Sequence, residues 1–156
     1  MKIIENIRGV IPKKEETIES LTNKVLNTLI KLQEIDGIRF NKWYEQSWTK
    51  KNALKSEVKF EFIYLSNLIN NEWDKKFQDL GSDFSFWSGN NNELDNSKIN
   101  FRIGLISDNK YLDNNISITL PKSEEFKIYE DDKIVYKIGE LLKEIWSIKR
   151  IETMSS

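Results

Sequence analysis

The chain has 156 residues, of which 38% are hydrophobic, 12% aromatic and 31% charged, with a formal net charge of −1; this length and composition predict one folded domain and argue against a disordered tail. It contains no Cys and no His, which removes disulfides, thiolate nucleophiles, Cys- or His-ligated zinc and imidazole general-base chemistry. No stretch approaches the roughly 20 apolar residues that span a bilayer, and the Met1–Pro12 segment carries Lys2, Glu5 and Arg8 where a signal peptide would be apolar, so a cytoplasmic protein is expected.

Charge is unevenly spread. Residues 61–132 hold 14 Asp or Glu against 7 Lys or Arg, whereas residues 1–60 hold 8 against 12. An acidic middle without a dominant basic block favours a basic protein partner over nucleic acid.

Ile3, Ile4, Ile7 and Val10 ahead of Pro12 predict a first strand that ends at the proline, which has no N–H for a ladder. Ile18, Leu21, Val25, Leu29, Leu32 and Ile35 recur at three- and four-residue steps and predict an amphipathic helix over 15–35. Glu15, Glu16 and Glu19 are expected in its first turns and Asp36-Gly37 at its end. The aromatics Phe40, Trp43, Tyr44 and Trp48 read as core, and Thr49 as the N-cap of a short helix to Leu54. Phe62, Leu65, Leu68, Ile69 and Trp73 predict a further helix from about Phe60, followed by a connection at Asp74 to Gln78 and a chain reversal at Gly81.

Three later runs alternate with period two, over Ser82–Ser88, Lys98–Ser107 and Ile116–Leu120, the last stopping at Pro121. They predict a meander with Phe84, Phe86, Ile99, Phe101, Ile103, Leu105, Ile116, Ile118 and Leu120 on one face. The other face carries Ser85, Trp87, Asn100, Arg102, Ser117 and Thr119. Ile134, Ile138, Leu141, Leu142, Ile145 and Trp146 predict a last helix, capped within Glu130-Asp131-Asp132, after which Ile148 to Ser156 is expected to fray. The sum is a single α+β domain over 1–156: an antiparallel sheet of three to four or more strands with helices packed on one face.

Motifs for chemistry are absent. No Ser–His or Cys–His pair is possible, and neither Gly-x-x-x-x-Gly-Lys nor Gly-x-Gly-x-x-Gly occurs. Asp108-x-x-x-x-Asp113 lacks the spacing, central Gly and terminal Glu of a calcium loop. No catalytic residue, metal ligand or cofactor is therefore expected.

Short motifs occur in a definite order: Phe40, Trp43-Tyr44, Ala53-Leu54, Leu80-Gly81, Phe84-Ser85-Phe86-Trp87-Ser88-Gly89 and Asn115-x-Ser117-x-Thr119-Leu120-Pro121. Over about residues 1–121 this order resembles the immunity protein 52 family. The resemblance implies a cytoplasmic antidote encoded beside a polymorphic toxin, a group that includes effectors injected by contact-dependent secretion systems. It also implies a structural role for Trp87 and Gly89, with recognition in the loops around them. Ser88 stands where the family commonly has Asn, and relatives are expected to continue beyond the position of Trp146.

On this reading the partner is a cognate toxin domain, held tightly and without turnover. The expected contacts are Glu93, Asp95, Asp108, Asn109 and Asp113 in the sheet-end loops, with Trp87 and Arg102 as additions, since Trp and Arg are enriched at interface hot spots. Two other readings stay open: an effector adaptor or chaperone, and a carboxylate-dependent hydrolase, which requires two acids converging in a pocket.

Overall fold

A computed structural model describes residues 4–46, 55–89, 95–122 and 132–155. Its strands are β1 (Ile4–Ile11), β2 (Tyr44–Glu45), β3 (Ser82–Trp87), β4 (Lys98–Ile103), β5 (Asn114–Thr119) and β6 (Arg150–Ser155). They form one antiparallel sheet in the order β2-β3-β4-β5-β1-β6. Helices α1 (Ile18–Ile35), α2 (Phe62–Asn71) and α3 (Asp132–Trp146) share one core with one face of that sheet. The arrangement is α+β, as the alternation of the sequence predicts.

Register turns the period-two pattern into rows. Phe84, Phe101 and Ile116 stand opposite one another across β3, β4 and β5, and Phe86, Ile99, Ile118 and Ile7 form the next row across to β1. The Phe84, Phe86 and Phe101 rings lie 5.2, 5.5 and 6.0 Å apart pairwise, within the range of favourable ring packing. Trp146 of α3 completes the cluster at 6.4 Å from Phe101. Burying each of these side chains stabilises the fold by roughly 1.5–3 kcal/mol.

Helix α1 lies at the centre of the covering layer, in contact with both α2 and α3, and buries Leu21, Val25, Leu29 and Leu32. It starts at Ile18, with its apolar stripe, rather than at residue 15, because Thr17 Oγ1 accepts the Ser20 N–H at 3.1 Å and caps the first turn. Glu15 and Glu16 therefore precede the helix, and only Glu19 lies in its first turn. Asp36 closes the other end, its carboxylate accepting the N–H groups of Ile38 and Arg39 at 3.0 Å each. Between α1 and α3, the Trp146 indole N–H donates to Thr28 Oγ1 at 2.8 Å, and Thr28 donates in turn to the Lys24 carbonyl at 2.7 Å.

The chain departs from the sequence expectations in several places. β4 ends at Ile103 rather than Ser107, because Gly104 at φ +74° turns the chain out of the sheet. α2 begins at Phe62 rather than Phe60, after Glu61 in extended conformation. The segment after Trp146 does not fray: Ser147 at φ 53° reverses the chain, and residues 150–155 pair with β1 as β6. That pairing places β1 inside the sheet and opposes Ile151 to Gly9, whose missing side chain leaves room for Ile148. Trp48, the expected helix from Thr49 to Leu54, and Glu130-Asp131 lie outside the described residues.

At the other edge, Tyr64 of α2 donates its hydroxyl to Glu45 of β2. Burial, then the hydrogen bond to Glu45 and the Glu45 charge, push the Tyr64 phenol well above its usual range. An unfolded tyrosine ionises near about 10, so this contribution is intact below that pH and is lost as pH rises from there toward the folded value. Urea unfolding should show alkaline destabilisation that is shallower in Tyr64→Phe, and identical alkaline slopes would refute the assignment. Thr28→Val leaves the buried Trp146 N–H without an acceptor and should cost about 1–3 kcal/mol by the same assay, whereas an unchanged midpoint would show that this bond contributes nothing.

Candidate interaction surface

Three connections meet where β4 ends and β3 and β5 begin: residues 12–17 before α1, residues 72–81 after α2, and residues 104–113 between β4 and β5. The second is pinned at its base. Trp73 bridges Ser82, the Asp74 N–H bonds to the Gly81 carbonyl at 2.9 Å, and Ser82 Oγ donates to the Ile69 carbonyl at 2.9 Å. Inside it, the Asp74 carboxylate accepts the N–H groups of Lys76 and Phe77 at 3.0 and 2.7 Å, while the Trp73 indole donates to the Gln78 carbonyl at 2.9 Å.

The third connection is tied to the second and to itself. The Asp79 carbonyl accepts the N–H groups of Ile106 and Ser107 at 2.8 and 3.0 Å. Buried Asn114 clamps the loop, accepting from the Leu105 N–H at 2.8 Å and donating to the Leu105 carbonyl at 2.9 Å. Two glycines permit the close approach. A Cβ on Gly81, at φ +70°, would sit 2.3 Å from the Ile103 carbonyl oxygen, and one on Gly104 would sit 2.4 Å from the Trp73 ring.

These contacts leave a cleft of about 560 Å³ lined by Glu15, Glu16, Asp74, Asp79 and Lys75, with Trp73, Gly104 and Ile106 among its apolar surfaces. The four carboxylates are not equivalent. Glu16 is engaged by Lys24, and Asp74 by its two backbone donors. The Glu15 and Asp79 carboxylates make no hydrogen bond or ion pair among the described residues. Phe77, in the wall loop, and Ile106 are 54% and 47% exposed.

The face of the sheet away from the helices is polar and internally bonded. Asn6 donates to Ser117 and Thr119 at 2.9 and 3.1 Å, and Ser85 donates to Asn100. Arg102 pairs with Asp83 at 3.1 Å, and Arg8 bridges Asp113 at 2.8 Å and Glu152 at 3.2 Å. Glu152 also accepts from Arg150 at 2.9 Å, and this bond, with Arg8 behind it, holds its carboxyl below the usual range.

The expected contact residues divide between these regions. Asp108 and Asn109 lie in the 104–113 loop beside the cleft, Asp108 exposed and Asn109 accepting the Tyr111 N–H at 3.0 Å on its side chain. Asp113 turns to the open face as the partner of Arg8, and Arg102 is held there by Asp83. Trp87 and Asp95 are at the opposite end of the sheet, and Glu93 lies outside the described residues. Trp87 packs its ring 6.4 Å from Tyr44, with its indole nitrogen shielded from solvent. Asp95 lines a smaller cleft of about 230 Å³ with Ile38, Arg39, Tyr44 and Gly89. Ser88 closes that hairpin end, its hydroxyl accepting the Ser97 N–H at 2.9 Å and donating to Asn96 at 3.1 Å, while Gly89 takes φ +75°.

Glu15, Glu16, Asp74 and Asp79 were not expected to act together. The available signal was Thr17, a capping residue immediately before the periodic stripe, which detaches the two glutamates from the helix. Among the described residues no group of His, Cys, Asp and Glu could hold a metal ion, and no helix is long and apolar enough to cross a membrane. Neither a protein-family model nor a curated protein matches the chain.

Gly104→Ala combines a disfavoured φ with the Trp73 clash and should lower stability by about 1–3 kcal/mol. Gly139→Ala, inside α3 with nothing within 4 Å of the added carbon, should instead raise it by about 0.5–1 kcal/mol. Urea midpoints that move together for the two variants would contradict the close-approach account.

Proposed function

We propose that this chain is an immunity protein that binds a cognate toxin domain and neutralises it by occupying it, without turnover. The observation that carries the reading is the acidic cleft between the 72–81 and 104–113 connections. A basic side chain entering it meets Glu15 and Asp79, which form no ion pair among the described residues. Phe77 and Ile106 supply exposed apolar area beside the charges, the combination of anchor and polar surround found at protein interfaces.

The cleft is also preorganised. Its walls are fixed by the Asn114 clamp, the two bonds to the Asp79 carbonyl and the Asp74 turn, so little ordering cost remains for binding. An acidic mouth raises the encounter rate with a basic target, an effect that weakens as salt rises. The order of short motifs, which resembles that of the immunity protein 52 family, is consistent with this reading.

The test is co-expression with the toxin encoded beside this gene, together with binding of the purified toxin domain. Growth rescue and a stoichiometric complex are expected, and toxicity undiminished by co-expression would sink the proposal. Glu15→Lys with Asp79→Lys should slow association about tenfold or more at low salt while leaving the fold intact by circular dichroism. A complex that forms at the wild-type rate with this variant would remove the cleft from the interface.

A further inference from the structure

β6 ends the sheet. It pairs with β1 on one side, and no described residue pairs with its other side, which leaves a row of backbone N–H and C=O groups open to another strand. The opposite edge is blunted, because β2 has two residues and its Tyr44 is also bridged to Glu57. β6 has six residues, no proline, and an unbroken register from Arg150 to Met154. Met154 on it is 67% exposed.

We propose that this edge pairs antiparallel with the same edge of a second copy of the chain, with Ile151 on the two-fold axis, so that the sheet continues across both copies. Face geometry restricts the register. Opposite residues of an antiparallel pair point to the same side. Arg150, Glu152 and Met154 stand opposite Val10, Arg8 and Asn6 on the open face, and Ile151 and Thr153 stand opposite Gly9 and Ile7 on the covered one. Two copies that keep their helices on the same side must therefore place the axis through a residue and not between two.

Charge then selects among the three central residues. An axis through Glu152 sets one carboxylate against the other, which is destabilising. An axis through Thr153 sets Glu152 against Met154. An axis through Ile151 sets each Arg150 against the other copy's Glu152 and brings the two Ile151 side chains together. The Arg150 and Glu152 head groups already lie side by side on the open face, 2.9 Å apart within one copy. A foreign strand would have to supply the same two charges at the same spacing, whereas Arg-x-Glu read in the reverse direction is its own complement.

The chain has no Cys, so a single introduced thiol can form a disulfide only between copies. Ile151→Cys, Thr153→Cys and Met154→Cys are compared under mild oxidation, with circular dichroism to confirm the fold. On the two-fold axis the Cβ atoms are about 4.5–5.5 Å apart, while the Thr153 and Met154 pairs are offset along the strands by about 13 and 20 Å. Ile151→Cys should crosslink at least tenfold faster than the other two, although Thr153 and Met154 are exposed and Ile151 only partly so. Sedimentation of unmodified chain should show a concentration-dependent dimer. Arg150→Glu alone and Glu152→Arg alone should each weaken it about tenfold at low ionic strength, and a mixture of the two should pair again. A chain that stays monomeric to about millimolar concentration, faster crosslinking at Thr153 or Met154, or no recovery on mixing would overturn the proposal. These measurements need no toxin, so their outcome is separate from that of the toxin-binding reading.

Discussion

A sheet that is apolar on one face must be covered on that face, and the larger features of this molecule follow from how its helices meet that requirement. Phe86, Phe101, Ile99, Ile116 and Ile118 are fully buried, and exposing any of them would cost more than a surface ion pair returns. α1 takes the central position, α2 and α3 flank it, and Trp146 joins α3 to both the phenylalanine cluster and Thr28. The indole is the largest group in that cluster with a polar atom, and the structure supplies an acceptor for it from a neighbouring helix.

Covering one face leaves the other to polar residues, which satisfy one another across strands. The Asn6, Ser117 and Thr119 group, the Arg102–Asp83 pair and the Arg8–Asp113–Glu152 chain are all cross-strand contacts. Arg102 and Asp113 are therefore already committed within the fold, and a partner would have to compete for them. The cleft acids Glu15 and Asp79 carry no such commitment among the described residues. This difference, more than the number of acids, separates Glu15 and Asp79 from the expected contacts Arg102 and Asp113.

The same logic places the most tightly braced loops and the acidic cleft at one end of the molecule. The connections that bring the chain into α1, out of α2 and from β4 to β5 converge there, held by backbone bonds to the Asp79 carbonyl and by the Asn114 clamp. Gly81 and Gly104 allow backbone and indole to approach more closely than any side chain would permit. Loops fixed in this way behave as part of the scaffold, so the proposed binding would need little reordering of the cleft walls.

Local pattern was enough to determine that the chain would form α1, α2 and α3 and the strands β1, β3, β4 and β5, and which residues of β3, β4 and β5 would point to the core. Period and capping chemistry are properties of neighbouring residues, and they survive into the fold at Leu21, Val25 and Leu29, at Phe84 and Phe86, and at Ile116 and Ile118. The tertiary structure alone decided the place of Arg150 to Ser155, whose strand exists through pairing with residues 140 or more positions earlier. It likewise decided that Asp108 and Asn109 lie beside the cleft while Trp87 and Asp95 lie at the far end, and that Glu15 and Asp79 face one space. Those outcomes depend on register and chain reversal between segments distant in sequence, and no periodicity along the chain records them.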